Sequence, residues 1–186
     1  MNNLILNETP LKNLKVIEHK PYKDKRGYLS RLFCKKTLSH LLEGKIIQQI
    51  NRTLTRKKGT VRGLHFQHKP NAETKIISCL SGKVWDVAVD LRKGSPTFLS
   101  YHAEILAGDN HKSYLIPEGF AHGFQTLTPD CEMLYFHTAY YYKDLEGAIS
   151  SVDPMIKINW PQPITECSDR DRNNLMLTSD FKGIRV

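Results

Sequence analysis

No stretch of the 186 residues approaches the roughly 18 consecutive apolar side chains that a membrane-spanning helix needs. The opening residues, Met1-Asn2-Asn3-Leu4-Ile5-Leu6-Asn7-Glu8, carry neither the basic start nor the apolar centre of an export signal. Cysteine is scarce. Cys34, Cys79, Cys131 and Cys167 are scattered and form no C-x-x-C pair. Without an export signal they read as reduced thiols, not a disulfide framework, and a cytoplasmic protein is the simplest expectation. Helix signals are also few. The clearest runs from Thr37 to Gly44, with Thr37 as cap, Leu38, Leu41 and Leu42 on one face and Gly44 as stop. Acidic residues are sparse at the front: residues 1–62 hold 15 Lys and Arg against 4 Asp and Glu, and residues 63–186 hold 12 against 15. The formal charge of +8 therefore sits in the first third. Such a bias points to an anionic partner: a nucleic acid, a membrane surface or a phosphorylated small molecule.

What is present is mostly strand. In Lys83–Leu91, Trp85, Val87, Val89 and Leu91 alternate with Val84, Asp86, Ala88 and Asp90, a period of two rich in β-branched residues. Similar runs are Leu14–Glu18, Tyr28–Phe33, Lys45–Asn51, Thr60–Gln67, Thr74–Leu80, Thr97–Leu106, Ser113–Ile116, Gly123–Leu127 and Glu132–Thr138. Turn signals such as Gly94-Ser95-Pro96, Gly108-Asp109-Asn110 and Thr128-Pro129-Asp130 separate them. Many short strands with regular turns predict an all-β fold, closed or double-sheet, with short peripheral helices. The length predicts one domain over residues 1–186, able to bury roughly 70% of its unfolded surface. Pro154, Pro161 and Pro163 break regular structure near the end, so residues from about 150 to 186 are expected to form an irregular arm packed on the barrel.

Two segments place histidines beside glycines: Arg62-Gly63-Leu64-His65-Phe66-Gln67 and Pro117-Glu118-Gly119-Phe120-Ala121-His122-Gly123-Phe124. By parity, Lys75, Ile77 and Cys79 share one side of their strand, and Met133, Tyr135 and His137 share one side of theirs. A barrel interior fed from several strands can gather His, Lys and Tyr over one small ligand. The pattern Pro117-x-Gly119-x-x-His122 resembles the second half of the cupin barrel signature, which implies a double-stranded β-helix, or jelly roll. The first half expects H-x-H, and here it reads His65-Phe66-Gln67-His68, so the usual pair of metal-binding histidines is broken and no metal site is expected.

More closely, the chain resembles the dTDP-4-dehydrorhamnose 3,5-epimerase family. The likeness runs from Asp24-Lys25-Arg26-Gly27-Tyr28 through Gln49-x-Asn51, Arg62–Gln67, Glu73-Thr74-Lys75, Asp86–Arg92, Ile116–Phe124 and Tyr135-x-x-Thr138-x-Tyr140-Tyr141 to Ser168-x-x-Asp171. It implies an epimerase that inverts C3 and C5 of a nucleotide-linked 4-keto sugar through an enolate, in the making of surface polysaccharide sugars. Such a reaction needs a base, a stabiliser of the enolate oxygen and an acid on the opposite ring face, with no cofactor. The resemblance implies His65 as base, oriented by Asp171, with Tyr135 as proton donor and Lys75 near the ketone. It also implies contacts to the diphosphate from Arg26 and Arg62, and stacking of the nucleobase on Tyr141. Gln49, Asn51, Gln67, His122, Glu146 and Arg170 match other substrate-contact positions. The family's members are homodimers that exchange an N-terminal strand.

Arg31 stands where the family commonly has Glu, near the nucleobase pocket. That leaves two carriers open: thymidine diphosphate with a 4-keto-6-deoxyhexose, or GDP with a 4-keto hexose or heptose. Other readings on the same barrel are a C3-only epimerase, a 3,4-ketoisomerase and a non-catalytic sugar-nucleotide binder. Nucleic-acid binding is not expected, because Arg56-Lys57-Lys58 is too short a basic run without interleaved aromatics.

Overall fold

The computed structural model describes residues 3–186. Strands β1 (Leu4–Glu8), β2 (Lys15–His19), β5 (Gln49–Thr55), β7 (Lys75–Ser81), β10 (Lys112–Ile116) and β12 (Cys131–His137) form one antiparallel sheet in the order β1-β2-β10-β7-β12-β5. Strands β6 (Val61–Gln67), β8 (Lys83–Asp90), β9 (Tyr101–Ala107), β11 (Phe120–Thr126) and β13 (Glu146–Ala148) form a second, in the order β13-β6-β11-β8-β9. A separate hairpin pairs β3 (Tyr22–Asp24) with β4 (Gly27–Leu29). The helices α1 (Lys35–Leu38) and α2 (Asp169–Arg172) are single turns. The expected cupin jelly roll is therefore the observed architecture, and among the described residues no helix is long and apolar enough to cross a membrane.

The sheets meet face to face. Ile77, Cys79, Tyr114 and Met133 from the first pack with Val84, Ala88, Leu106 and Phe124 from the second in one buried cluster. Strand β8 is covered on both faces. Val84 and Ala88 point to this core, while Val87, Val89 and Leu91 meet Ile149, Ile156 and Ile184 from outside. That second covering explains why β8 is apolar at both parities except at Lys83, Asp86 and Asp90. The arm after residue 150 is irregular, as expected, and its Ile184 donates its backbone N–H to Leu91 O at 2.7 Å. The outer face of the first sheet is partly roofed by Leu38 and Leu42, which pack with Ile17, Ile76, Leu115 and Phe136.

Several expectations shift. The helix begins at Lys35 with Cys34 at its N-cap, not at Thr37, and it ends in turns before Gly44. The burial of Leu38 and Leu42 decides its position. Strand β5 covers 49–55 and not 45–51, because Asn51, Thr53 and Thr55 turn polar side chains inward and hide its periodicity. The run expected from Tyr28 to Phe33 is a strand only as far as Leu29. Strand β9 starts at Tyr101, four residues late, because Ser95 and Thr97 curl back to donate hydroxyl bonds to Asp90 at 2.6 and 2.7 Å. Strands β1, β3 and β13 lie outside the expected runs, because they are short and carry no turn-bounded apolar alternation.

Gly63 marks a close approach of two backbones in the barrel wall. Its φ is +122°, and a Cβ there would sit 2.6 Å from Gly123 Cα and 2.7 Å from His122 O. The ladder between β6 and β11 slips register just there, between His122 and Phe124. Gly63→Ala is expected to lower stability by roughly 2–4 kcal/mol, measured by denaturant unfolding. A loss below about 0.5 kcal/mol would mean that the two strands can part without cost.

Candidate functional site

The two sheets enclose a pocket of about 790 Å³, within the range of small-molecule sites. Its wall combines residues of β5, β6, β7, β11 and β12 with Glu166–Asp171 of the C-terminal arm. His65 and His122 are direct cross-strand partners on β6 and β11. His65 Nε2 lies 2.7 Å from Asp171 Oδ1, and Asp171 Oδ2 accepts the backbone N–H of Gly63 at 3.2 Å. Ser168 caps α2 by accepting the Asp171 N–H at 3.1 Å, and this aims the carboxylate at β6. Arg170 Nη2 also approaches Nε2, at 3.1 Å, but the shorter contact is to Asp171; a proton on Nε2 directed at that carboxylate leaves the lone pair of His65 on Nδ1. Burial works against the charge on Asp171, but the bond and charge of His65, the Gly63 N–H and Arg170 outweigh it and hold its pKa below the ordinary value.

His122 forms a second, deeper pair, its Nε2 lying 2.9 Å from Asp86 Oδ1. Asp86 is fully buried, and its Oδ2 has no hydrogen-bond partner. Burial pushes its pKa up against the pull of His122 and Lys75. From the opposite sheet comes Tyr135, whose ring meets His122 edge-on at 6.2 Å and stacks on His137 at 6.0 Å. Burial pushes the Tyr135 hydroxyl above the usual phenol range, so it keeps its proton at neutral pH. Lys75 Nζ lies 3.2 Å from Glu73 Oε1, and His137 Nδ1 lies 2.7 Å from Glu73 Oε2. Burial alone would raise Glu73, but Lys75 and His137 outweigh it and hold it below the usual carboxylate range.

The mouth is polar. The Tyr141 hydroxyl donates to Glu146 Oε2 at 3.0 Å, and Arg170 Nη1 donates to the same oxygen at 3.0 Å. Arg62 lines the pocket from β6. Asn51 lines it from β5, and Gln49 donates to Asn51 Oδ1 at 3.1 Å. Gln67 also lines it, but its amide is committed to backbone: it donates to Asn71 O and Tyr140 O and accepts from Tyr142 N. Gln67 thus anchors the segment that carries Tyr141.

Three expected residues are not in the pocket lining: Gln49, which stands behind Asn51, and Arg26 and Arg31, which are not brought near it. Arg26 sits in the β3–β4 turn, 84% exposed and paired with Asp24 at 2.6 Å. Arg31 follows that hairpin, and its carbonyl meets His19 Nδ1 at 2.8 Å. The strands of the hairpin pair only with each other, and its Tyr28 meets His111 edge-on at 5.0 Å. Glu73 and His137 are pocket residues that had been given no role. Strand parity turned His137 inward, whereas Glu73 lies just before β7 and carries no periodic signal. Among the described residues, no group of three or more His, Cys, Asp or Glu side chains is placed to hold a metal ion.

This fold and pocket define a cupin-type barrel with an acid–base site. The sequence profile of dTDP-4-dehydrorhamnose 3,5-epimerase matches residues 8–179. The Salmonella typhimurium dTDP-4-dehydrorhamnose 3,5-epimerase is 38% identical over 169 residues, covering 90% of this chain and 92% of that one. The Legionella pneumophila dTDP-6-deoxy-D-glucose-3,5-epimerase, solved in complex with dTDP-4-keto-L-rhamnose, superposes with a TM-score of 0.90 at 36% identity over 98% of both chains. The Bacillus anthracis dTDP-4-dehydrorhamnose 3,5-epimerase, solved with TDP and pyrophosphate, gives 0.88 at 39% identity over 94% of this chain and 99% of that one. The chain belongs to the dTDP-4-dehydrorhamnose 3,5-epimerase family.

A depressed carboxylate pKa adds stability that is complete above the unfolded-state value, about 3.9, and is lost as pH falls through the folded value. The stability difference between wild type and Asp171→Asn is therefore expected to be largest near neutral pH and to close below about pH 4. Denaturant midpoints at several pH values measure it, and a gap that stays constant into acid would show that the His65–Asp171 pair adds no stability.

Proposed function

We propose that this protein inverts C3 and C5 of a thymidine-diphosphate-linked 4-keto-6-deoxy sugar in the making of surface polysaccharide sugars. The observation that carries this reading is the carboxylate-backed His65 on one sheet facing a half-buried, protonated Tyr135 on the other. Hydrogens on C3 and C5 are acidic only because the C4 ketone accepts the electron pair as an enolate. His65 removes the proton through Nδ1, and Asp171 stabilises the imidazolium that results. Lys75 offsets the charge growing on the enolate oxygen. Tyr135 returns a proton to the other ring face and so inverts the centre; His65 then gives its proton to solvent and Tyr135 regains one from it, and the same cycle at the second carbon completes the reaction. His122, backed by Asp86, contacts the sugar. Arg62 grips the diphosphate as a planar fork, and Tyr141 stacks on the base beside Glu146 and Arg170. The thymidine carrier is favoured over GDP because the two solved relatives hold dTDP-4-keto-L-rhamnose and TDP.

The working unit in this reading is a homodimer. Ile50, Leu54 and Leu80 are exposed on the six-stranded sheet, an apolar face that asks for cover. The hairpin with Arg26, and Arg31 after it, would reach the partner's pocket, since neither reaches its own. A cytoplasmic location fits the four free cysteines, of which Cys79 and Cys131 are buried.

In heavy water with a dTDP-4-keto-6-deoxy sugar, the enzyme is expected to wash deuterium into both C3 and C5. Exchange at C3 alone would make it a mono-epimerase, and exchange at neither position would sink the enolate mechanism. His65→Ala should abolish exchange, and Tyr135→Phe should retain exchange while losing inversion. A thermal-shift comparison should show stabilisation by dTDP above that by GDP at equal concentration. Light scattering should give twice 21.4 kDa for the wild type and the monomer mass for Leu54→Arg; a monomeric wild type would overturn the dimer.

A further inference from the structure

Glu73 and His137 stand outside every role assigned above, yet both lie in the pocket wall opposite His65. They belong to a continuous series of hydrogen bonds. The Tyr141 backbone N–H donates to Gln49 Oε1 at 3.3 Å, and Gln49 Nε2 donates to Asn51 Oδ1 at 3.1 Å. Asn51 Nδ2 then faces His137 Nε2 at 3.4 Å. His137 Nδ1 donates to Glu73 Oε2 at 2.7 Å, and Lys75 Nζ closes the series as an ion pair with Glu73 Oε1 at 3.2 Å. The series joins the segment that meets the nucleobase to the lysine that meets the ketone.

Its polarity is set at both ends. A backbone N–H can only donate, so Gln49 must present its oxygen to Tyr141 and its NH2 to Asn51. Asn51 must then present its own NH2 to His137, and Nε2 must accept with a lone pair. At the other end a carboxylate only accepts, so Nδ1 must carry the proton. One tautomer of neutral His137 satisfies every member. A protonated ring does not. Its Nε2–H would meet the Asn51 NH2, and turning that amide over would turn Gln49 as well, setting an NH2 against the Tyr141 N–H.

We infer that His137 is a positioning residue for the epimerase reaction, acting in its neutral Nδ1–H form to hold Glu73 beside Lys75 and to lock the Asn51–Gln49 amides beneath Tyr141. The inference rests on the epimerase reading of the pocket. The titratable groups that meet His137 are Glu73, from the segment entering β7, Lys75, directly across the ladder on β7, and Tyr135 on its own strand. From β5 it meets the amide of Asn51. Protonating it places two donors face to face at Asn51 and adds a positive charge that draws Glu73 away from Lys75. Nucleotide affinity and the proton-transfer step then weaken together in acid, by a route that does not pass through His65.

The test uses dTDP-glucose, which lacks the ketone and whose diphosphate diester does not titrate near neutrality. Its Kd is measured by calorimetry at about pH 8 and about pH 5, the span over which imidazoles gain a proton. Wild type is expected to bind about tenfold more weakly at the acid end, the size of one hydrogen bond to a charged network. His137→Asn keeps a donor at the Nδ1 position and cannot titrate, so its Kd should change less than about twofold across the same span, with kcat at pH 8 within about threefold of wild type. His137→Phe keeps the ring on Tyr135 and loses both hydrogen bonds. It should bind about tenfold more weakly at both pH values, with kcat reduced by a similar factor. Equal pH dependence in wild type and His137→Asn, or unchanged binding by His137→Phe, overturns the inference. Absence of C3 and C5 exchange by the wild type overturns the epimerase reading instead.

Discussion

His65 and His122 from one sheet and Lys75 and His137 from the other line this pocket, and each of these four is met by a carboxylate. Asp171 holds His65, Asp86 holds His122, and Glu73 holds both Lys75 and His137. An unpaired charge between two apolar sheets would cost several kcal/mol, so these pairs are a condition for having a polar pocket there at all. They also fix orientation. A carboxylate that holds one ring nitrogen decides which nitrogen keeps the lone pair, and so where basicity lies. The pairs differ in depth. Asp171 comes from a surface turn and is pulled below the usual range, whereas Asp86 is sealed in the wall and pushed above it. One environment suits a base that must gain and lose a proton, and the other suits a fixed contact.

The C-terminal arm is what makes the first pair possible. Proline breaks and the absence of regular strands let residues 150–186 follow the outside of the five-stranded sheet, where Ile156 and Ile184 bury against Val87, Val89 and Leu91. The arm then turns back at Ser168, whose capping bond sets Asp171 against Gly63 and His65. Gly63 does two jobs there: it lets β6 and β11 approach closely, and its N–H holds the carboxylate. The barrel's packing and its acid–base chemistry therefore share one backbone position.

Much of this was legible from the residues. Alternation along Lys83–Leu91, and shared parity at Lys75, Ile77 and Cys79 and at Met133, Tyr135 and His137, foretold a barrel with a polar interior. Failures cluster where side chains serve the pocket. Asn51, Thr53 and Thr55 turn inward as polar groups, so β5 lacks an apolar stripe and was placed four residues early. Ser95 and Thr97 bend the chain toward Asp90, which delays β9. Thr37 has the chemistry of a cap, but the burial of Leu38 and Leu42 starts the helix at Lys35. The positive charge of the first third points to a single anion-gripping region, yet Arg62 lines the pocket while Arg26 sits in the turn of a self-paired hairpin and Arg31 just after it.

By itself the sequence determined that this chain is a small all-β barrel, because period-two patterning and turn chemistry are local properties. It also supplied the residue types an enolate reaction requires, and the order of motifs that marks the family. Only the tertiary structure decided which of them meet. His65 and Asp171 are 106 residues apart, and Glu73 and His137 are 64 apart. Contacts over such distances depend on how two sheets close on one another and on where the arm docks. Hydrogen-bond polarity is likewise invisible in sequence, since an amide or an imidazole takes its orientation from its neighbours in space.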